Sequence, residues 1–325
     1  MPSRGERPSA PAATSVPVRA PGLTIAMIAK STTNPIFVSA RKGADAAAKE
    51  LAEKHGVPIQ IVWMTPDHED AQIQAVAVAQ AVKDRASAIL ISCSDADKVT
   101  GAINDAVDRG VPVMTFDSDA AESKRFAFYG VDDEKLGRTV MRELAAQIRK
   151  KGSVAILAGN ADAPNLRKRV DGVNKEAALN PGIKIVGTFN HKETARDAAE
   201  EVIHAQTANP QIRGWAMIGG WALFTPRLMN GLDPQKVTVV AVNALPAQLA
   251  FVENGLAPVL LALPTYNWGY VSVQRIVDKV HLKQDVPTII PPMEVVRVTK
   301  GNLGTWARQL KTWGGSVPDR YLNFK

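Results

Sequence analysis

The sequence has 325 residues, of which 46% are hydrophobic and 22% charged, and its formal net charge is +7, from 39 Lys and Arg against 32 Asp and Glu. No stretch approaches the roughly 18 consecutive apolar residues of a membrane span. The basic residues are scattered, unlike the dense basic stripe of a nucleic-acid binder. The composition therefore indicates a globular protein with one large domain or two medium ones.

The N-terminal residues 1–22 are rich in Pro, Ala, Ser and Arg. They lack the apolar core of a signal peptide, so we predict a disordered leader or linker. The single cysteine, Cys93, excludes an intramolecular disulfide and leaves the cellular compartment undecided. Its place in the apolar run AILISC favours a buried thiol over a nucleophile.

Short apolar runs alternate with amphipathic segments from Leu23 onward. The predicted strands are 23–29, 59–64, 88–92, 112–116, 153–158, 183–188, 215–218 and 237–242. Most are continuously apolar, which is typical of strands buried on both faces of a parallel sheet. The pattern predicts right-handed βαβ units in two series, 23–130 and 132–262, and hence two similar doubly wound α/β lobes.

The last part of the sequence predicts a helix over 267–281, an apolar stretch over 286–291, a strand over 293–298 and a terminal helix over 302–313. In open parallel sheets, ligands bind outside the carboxyl ends of the strands. With two lobes, the natural site is the cleft between them. The residues that directly follow each strand are therefore the candidates for function.

The first candidates lie in KSTTNPIFV, directly after the first predicted strand. Asn34 and Pro35 are typical of a helix cap and a first helical residue, which is a purely structural interpretation. It does not explain Ile36 and Phe37, one of which can point into the cleft from the first turn of the helix. Lys30 adds a cation at the strand end.

A second candidate group is FDSDAA, after the fourth predicted strand. A single acid at a strand end is commonly a cap or turn residue. Two acids around a serine, namely Asp117, Ser118 and Asp119, favour a ligand site instead. Carboxylates accept hydrogen bonds from sugar hydroxyls in charge-assisted pairs that are stronger than neutral ones.

Further polar and aromatic residues follow the strands of the second series. Aromatic faces beside Asp and Asn side chains suit a sugar ring, which is apolar on its faces and polar at its edge. Any one of these aromatics is more often a core residue, but their shared position at strand ends favours a binding site. The candidates are Arg169, Trp221, Asn243, Tyr266 and Asn267.

At these residues the sequence resembles the periplasmic sugar-binding proteins of bacterial ABC importers, of the ribose-binding type that is related to the effector domains of LacI-type repressors. The resemblance covers about Leu23 to Trp313. Its most specific part is STTNPIFVSARKGADAAAKELA, while VPVMTFDSDA and LPTYNWG carry it more weakly. It implies a type I periplasmic binding protein fold, with three crossings of a hinge near 130–132, 263–265 and 290–292.

The resemblance also assigns roles to individual residues. Asn34 and Phe37 match the family's sugar-contacting Asn and aromatic, Asp117 matches the acid that binds ring hydroxyls, and Arg169 matches an Arg at the start of a helix. Asn165 lies near a polar contact position of the autoinducer-2 receptors.

Other positions depart from the ribose pattern. Ser118 stands where ribose binders have Arg, and Asn243 replaces a usual Asp. Trp221 fills the space of an Asn that Gly219 replaces, and Tyr266 or Asn267 takes the place of an absent Gln. Lys30 and the run Asp117-Ser118-Asp119 look more like the rhamnose and autoinducer-2 receptors of the same superfamily. The departures from the ribose pattern predict a ligand other than ribose.

The resemblance predicts a monomeric, extracytoplasmic solute-binding protein, with its export signal removed. It would capture a monosaccharide or polyol by hinge closure and deliver it to a membrane permease, without a cofactor, a metal or nucleic acid. The predicted N-terminal lobe comprises 23–131 plus 265–291, and the predicted C-terminal lobe comprises 132–264 plus 292–325.

Two other functions remain open from the residues. The Asp-x-Asp of VMTFDSDAA resembles that of the phosphatases with an aspartate nucleophile, but Ala121 replaces their usual Thr or Val and the motif follows the fourth strand rather than the first. The second alternative is the ligand-binding domain of a LacI-like regulator. It would lack a DNA-binding headpiece, for which residues 1–22 are too short and too rich in proline.

Overall fold

A computed structural model describes residues 22–324, so the leader predicted over 1–22 lies, except for Gly22, outside the described residues. The first sheet is entirely parallel and has the strand order β2-β1-β3-β4-β5. Its strands are β1 (Leu23–Ile28), β2 (Ile59–Trp63), β3 (Ala88–Ile91), β4 (Val113–Phe116) and β5 (Ala127–Tyr129).

The second sheet repeats this order and adds one antiparallel edge strand. Its strands are β6 (Gly152–Ala158), β7 (Ile183–Asn190), β8 (Ile212–Met217), β9 (Thr238–Val242), β10 (Val259–Ala262) and β11 (Val296–Val298). The order is β11-β10-β9-β8-β6-β7, and β11 pairs antiparallel with β10. The two doubly wound α/β lobes predicted from the alternation are therefore confirmed.

Helices connect the strands of both sheets. They are α1 (Pro35–His55), α2 (Ala71–Lys83), α3 (Ala96–Asp108), α4 (Asp133–Gln147), α5 (Pro164–Ala177), α6 (Ala195–Ala208), α7 (Arg227–Gly231), α8 (Leu249–Asn254), α9 (Thr265–Val280), α10 (Leu303–Thr312) and α11 (Asp319–Leu322). Capping side chains fix several starts: Asn34 caps α1, as predicted, and Asp95 caps α3.

The strands are buried because each sheet is covered on both faces. All four residues of β3 and of β4 are inaccessible to solvent, which explains why seven of these eight residues are apolar. In the first lobe, α1 packs with α9 and α2 packs with α3. In the second lobe, α4 packs with α5. Because helices cover both faces of each sheet, the connecting loops can form a site only at the ends of the strands, and ligands bind at the carboxyl ends in such sheets.

Glycines bring the backbones of two helix pairs into direct contact. A Cβ added to Gly269 of α9 would lie 1.9 Å from the carbonyl oxygen of Ala40 in α1, and one added to Gly43 would lie 1.9 Å from that of Tyr266. The pair α4 and α5 repeats the arrangement, since a Cβ on Gly137 would lie 2.0 Å from the carbonyl oxygen of Arg169. Only glycine permits this approach.

The chain passes between the sheets after β5, after β10 and again before β11. The third passage runs beside β5, where the amide of Phe128 donates to the carbonyl oxygen of Thr288 at 2.9 Å and the amide of Ile290 donates to Phe128 at 2.9 Å. The two sheets are therefore connected by three neighbouring segments on one side of the molecule.

Candidate functional site

A small cavity lies between the two lobes, at the carboxyl ends of both sheets. Its volume is about 10 Å³, which is room for about one water molecule. Both lobes line it, with Lys30, Ile36, Phe37, Asp117 and Trp268 on one side and Asn165, Leu166, Arg169, Glu193, Gly219, Trp221 and Asn243 on the other. The loops that follow several strands of both lobes thus meet at one place.

The stretch KSTTNPIFV forms one wall of this cavity. Asn34 uses its Oδ1 to accept a hydrogen bond from the amide of Ile36 at 3.2 Å, and Pro35 is the first residue of α1. The cap and the proline thus fix where α1 begins, and its first turn places Phe37 in the cavity wall. Phe37 is buried and meets the ring of Phe116 edge to face, with centroids 6.3 Å apart.

Asp117 and Asn243 occupy equivalent positions in the two lobes. Asp117 follows β4 with a φ of 58°, and Asn243 follows β9 with a φ of 70°. Asp and Asn are among the few residues other than glycine that adopt this left-handed conformation readily. In both lobes the strand therefore ends in a sharp turn that directs a polar side chain to the cavity.

The carboxylate of Asp117 is held by two side chains. It accepts a hydrogen bond from Ser92 Oγ at 2.9 Å and another from Asn165 Nδ2 at 3.2 Å. The second bond crosses from the first lobe to the second, because Asn165 lies in the first turn of α5. Each carboxylate oxygen has a further lone pair, so Asp117 can still accept hydrogen bonds from a ligand.

Arg169 projects into the cavity from α5 and is anchored from behind. Its Nε donates to Asp133 at 2.8 Å and its Nη1 donates to the carbonyl oxygen of Ile218 at 3.1 Å. Burial raises the pKa of Asp133 to about 6 in spite of the opposing effect of Arg169. The remaining nitrogen, Nη2, lies 3.8 Å from Asp117 and is free to donate elsewhere.

Lys30 lies among carboxyl groups from both lobes. Its ammonium is 3.9 Å from Glu69 and donates to Asn165 Oδ1 at 3.4 Å. Burial alone would lower the pKa of Lys30, but Glu193, Glu69 and Asp117 together raise it above its ordinary value. Lys30 therefore stays charged and offers donors at the edge of the cavity.

Several buried polar atoms around the cavity have no hydrogen-bond partner within residues 22–324. They are Arg169 Nη2, Trp268 Nε1 and Asn243 Oδ1. Each of these residues is at least 96% buried. An unsatisfied buried polar group costs about 1–3 kcal/mol, so three of them at one place indicate a site that a polar ligand completes. A hydroxyl group both donates and accepts and can serve either kind of atom.

Five predicted site residues do not line the cavity, and one of them, Asn34, caps α1 and faces the neighbouring surface between the lobes instead. Asp119 instead pairs with Arg125, whose Nη2 donates to it at 2.6 Å, and it also accepts from Thr115 Oγ1. Ser118 is buried away from the cavity wall. Asp117 and Asp119 therefore have different partners, and only Asp117 lines the cavity.

Tyr266 and Asn267 are the other two exceptions. The ring of Tyr266 stacks on Trp313 at 5.6 Å and on Tyr270 at 5.9 Å, outside the cavity. Asn267 is half-buried and does not line the cavity either. Trp268, the next residue, is buried and points inward instead. The predicted motif LPTYNWG thus does contribute to the cavity, but through its tryptophan.

Glu193 was missed as a site residue. It follows β7 in the polar run NHKE, so the rule that strand ends carry the site would have found it. It accepts a hydrogen bond from the amide of Asn160 at 3.3 Å and lines the cavity opposite Lys30. Burial raises the pKa of Glu193 to about 7, well above its ordinary value of 4.5, in spite of the attraction of Lys30.

This carboxyl group should make stability depend on pH. Between its unfolded pKa of 4.5 and its folded pKa of about 7, Glu193 binds a proton more tightly in the folded protein. Its contribution to stability is therefore fully present below the unfolded pKa and is lost as the pH rises through 7. Between about pH 5 and about pH 8, the free energy of unfolding of the wild type should therefore fall relative to that of Glu193→Gln.

Urea denaturation at several pH values measures this difference. Glu53→Gln, on the exposed side of α1, is the matched control and should follow the wild type at every pH. Parallel pH curves for Glu193→Gln and the wild type would show that the Glu193 carboxyl is not buried in this way.

Cys93 has no role at the cavity. It is fully buried, and burial raises the pKa of its thiol far above the ordinary value. The interpretation as a buried thiol at a strand end is confirmed, and a thiolate nucleophile is not available there.

Comparison with known families gives one match that covers most of the chain. The sequence profile described as "Periplasmic binding protein domain" matches residues 25–283. The matched region contains every residue that lines the cavity. Within residues 22–324, no helix is long and apolar enough to cross a bilayer.

Similar proteins of assigned function are transport proteins that bind sugars. The ribose import binding protein of Bacillus subtilis is 30% identical over 154 residues, which are 47% of this chain and 48% of that protein. The D-ribose/D-allose-binding protein of Pseudomonas aeruginosa is 28% identical over 168 residues, which are 50% of this chain and 51% of that protein. The chain thus spans about half the length of these two relatives.

A solved structure shares the fold over nearly its whole length. The crystal structure of an ABC transporter solute binding protein from Burkholderia graminis C4D1M, in complex with D-arabinose, superposes with a TM-score of 0.81. It is 25% identical, and the alignment covers 87% of this chain and 97% of that one. The type I periplasmic binding protein fold that the sequence predicted is confirmed by this similarity.

Proposed function

Since the chain belongs to the family of periplasmic binding protein domains, we propose that it is the solute-binding protein of an ABC importer. It captures a monosaccharide or polyol between its two lobes and delivers it to a membrane permease. Similarity to sugar-import proteins and to the arabinose-bound structure supports this function. We also propose that it acts outside the cytoplasm, as a monomer and without catalysis.

The observation that carries the proposal is the set of unpartnered polar atoms around the cavity. Arg169 and Trp268 offer donors, and Asn243 offers an acceptor, from both lobes at once. A polyhydroxylated ring presents hydroxyls around its edge and apolar faces above and below. Phe37 and the ring of Trp221 supply the apolar contacts that such faces need.

The charges around the cavity favour an uncharged sugar. Two cations, Lys30 and Arg169, face the carboxyl groups of Asp117 and Glu193, with Glu69 and Asp133 behind them. The carboxyl groups outnumber the cations, so an acidic ligand would add a further like charge. Aldonic and uronic acids should therefore bind far more weakly than the corresponding neutral sugars.

Binding requires that the lobes move apart and close again. At about 10 Å³ the cavity is far smaller than the roughly 300–1,000 Å³ of typical ligand pockets, and Asn165 bridges the lobes to Asp117. We propose that 23–131 plus 265–291 moves as one lobe and 132–264 plus 292–325 as the other, about the three connecting segments. Hinge closure around a ligand is a common mechanism of this kind.

Thermal denaturation with a panel of neutral pentoses, hexoses and polyols tests the function. A ligand at a hundred times its dissociation constant stabilises the folded protein by about 2.7 kcal/mol. We expect at least one D-sugar of the panel to raise the melting temperature clearly, and D-arabinose, D-ribose and D-allose are the first to try. Unchanged melting temperatures across the whole panel would contradict the proposal.

The tryptophan at the start of α9 gives a sharper test. Trp268→Phe keeps an aromatic ring but removes the Nε1 donor that has no partner among the described residues. We expect about a twofold to tenfold loss of affinity for the bound sugar, because a neutral hydrogen bond is worth about 0.5–1.5 kcal/mol. Isothermal titration calorimetry measures the affinity.

Asn267→Ala, one residue earlier and off the cavity, is the matched control and should bind as the wild type does. If Asn267→Ala loses affinity and Trp268→Phe does not, then Asn267 rather than Trp268 contacts the sugar, which would contradict the orientation of α9 described above.

A further inference from the structure

A large groove lies beside the cavity, on the surface between the lobes. Its volume is about 820 Å³, against about 10 Å³ for the cavity. One side is formed by the first turns of α1, and the other by loops of the second lobe and by the segment that follows α10. The volume of the groove lies within the range of pockets that hold small molecules.

The walls of this groove are mainly apolar and aromatic. The side chains that face it include Val38, Trp221, Phe224, Leu245, Leu310 and Trp313. Val38, in the first turn of α1, is 42% exposed and adds apolar surface to this wall. Of the other side chains, Trp221, Leu245 and Leu310 are buried in the wall, and Phe224 and Trp313 are half-buried. A concave, mainly apolar wall of this kind can hold the apolar part of a small molecule.

The groove and the cavity share walls. Trp221 and Glu193 line both, and Asn34, whose Nδ2 has no partner within residues 22–324, lies at the groove beside them. A molecule whose polar ring contacts the unpartnered atoms of the cavity can therefore extend past Trp221 into the groove. The two spaces suit the two ends of one amphipathic ligand.

We propose that this groove is a second subsite, which holds an apolar aglycone attached to the captured sugar, so that the preferred ligands are alkyl or aryl glycosides. This rests on the proposed function, because it requires that the sugar ring be held by the cavity. The aromatic rings of Trp221, Phe224 and Trp313 would contact the aglycone, and burial of its apolar surface would add affinity.

Matched ligands test the subsite on the full chain. Calorimetry compares free D-arabinose, D-ribose and D-allose with the methyl and para-nitrophenyl glycosides of each, in both anomers. We expect at least one para-nitrophenyl glycoside to bind roughly tenfold or more tightly than the methyl glycoside of the same sugar and anomer, because its ring is removed from water in the groove.

Two variants locate this gain. Val38→Ser and Phe224→Ala change the groove but not the lining of the cavity. Each should reduce the advantage of the aryl glycoside severalfold and leave the affinity for the methyl glycoside unchanged. Val76→Ser, at a position that is 68% exposed on α2 and remote from the groove, is the matched control and should retain the full advantage.

The possible outcomes separate the two proposals. If free sugars and methyl glycosides bind but aryl glycosides bind equally or more weakly, the subsite is wrong and sugar capture stands. The groove would then belong to another contact, such as one with the permease. If only aryl glycosides bind, and the groove variants abolish this binding, the subsite is supported and the ligand class is narrower. If no sugar and no glycoside binds, both proposals fail.

Discussion

Arg169→Met is expected to lower the free energy of unfolding by about 3–5 kcal/mol and to remove detectable sugar binding. The substitution keeps much of the side-chain volume but leaves Asp133 buried without its partner. Removing one partner of a buried ion pair is among the most destabilising substitutions in a core, because it leaves a buried charge without compensation. The same substitution removes the Nη2 donor that points into the cavity.

A double variant separates these two effects. Arg169→Met combined with Asp133→Asn removes both charges, so it should recover part of the lost stability while binding stays absent. Urea denaturation followed by circular dichroism measures the first effect, and calorimetry measures the second. If the single variant is as stable as the wild type, Asp133 does not depend on Arg169 as the 2.8 Å contact implies.

Asp117→Asn is expected to weaken sugar binding by about thirtyfold to a hundredfold. Hydrogen bonds to charged groups are worth about 1.5–3 kcal/mol, and the amide has only one accepting oxygen. Asparagine also tolerates the φ of 58° at this position, so the turn after β4 should be kept. The loss should therefore appear in the affinity measured by calorimetry, with little change in secondary structure.

Asp119→Asn is the matched comparison, two residues further along. Asp119 is paired with Arg125 and does not line the cavity. Its replacement should reduce stability and leave the affinity for sugar intact. Equal losses of affinity in the two variants would mean that the whole loop, rather than the carboxylate of Asp117, determines binding.

Much of this arrangement could be predicted from the sequence, because it depends on local signals. The continuously apolar strands and the cap at Asn34 are encoded within a few residues, and parallel sheets bring the ends of their strands together. Lys30, Phe37 and Asp117 could therefore be placed at the cavity before the structure was known.

The remaining positions depended on details that the sequence does not determine. The predicted helix began at residue 267, whereas α9 begins at Thr265. Tyr266 and Trp268 therefore both lie inside the helix. Because each residue turns a helix by about 100°, these two residues face nearly opposite sides, Tyr266 outward and Trp268 inward. For Asp119 the deciding factor is Arg125, a partner six residues further along the chain that binds its carboxylate away from the cavity.

The contact between α4 and α5 determines how these two helices would move in the proposed hinge motion. Helix α4 starts directly after the first connecting segment, and at Gly137 its backbone touches that of Arg169 with no side chain between them. Flexible side chains would absorb part of any rotation, but two backbones in contact cannot. In the proposed motion, a rotation at residue 132 would therefore move α4 and α5 as one rigid body. Asn165 and Arg169 would then approach or leave the opposite side of the cavity together.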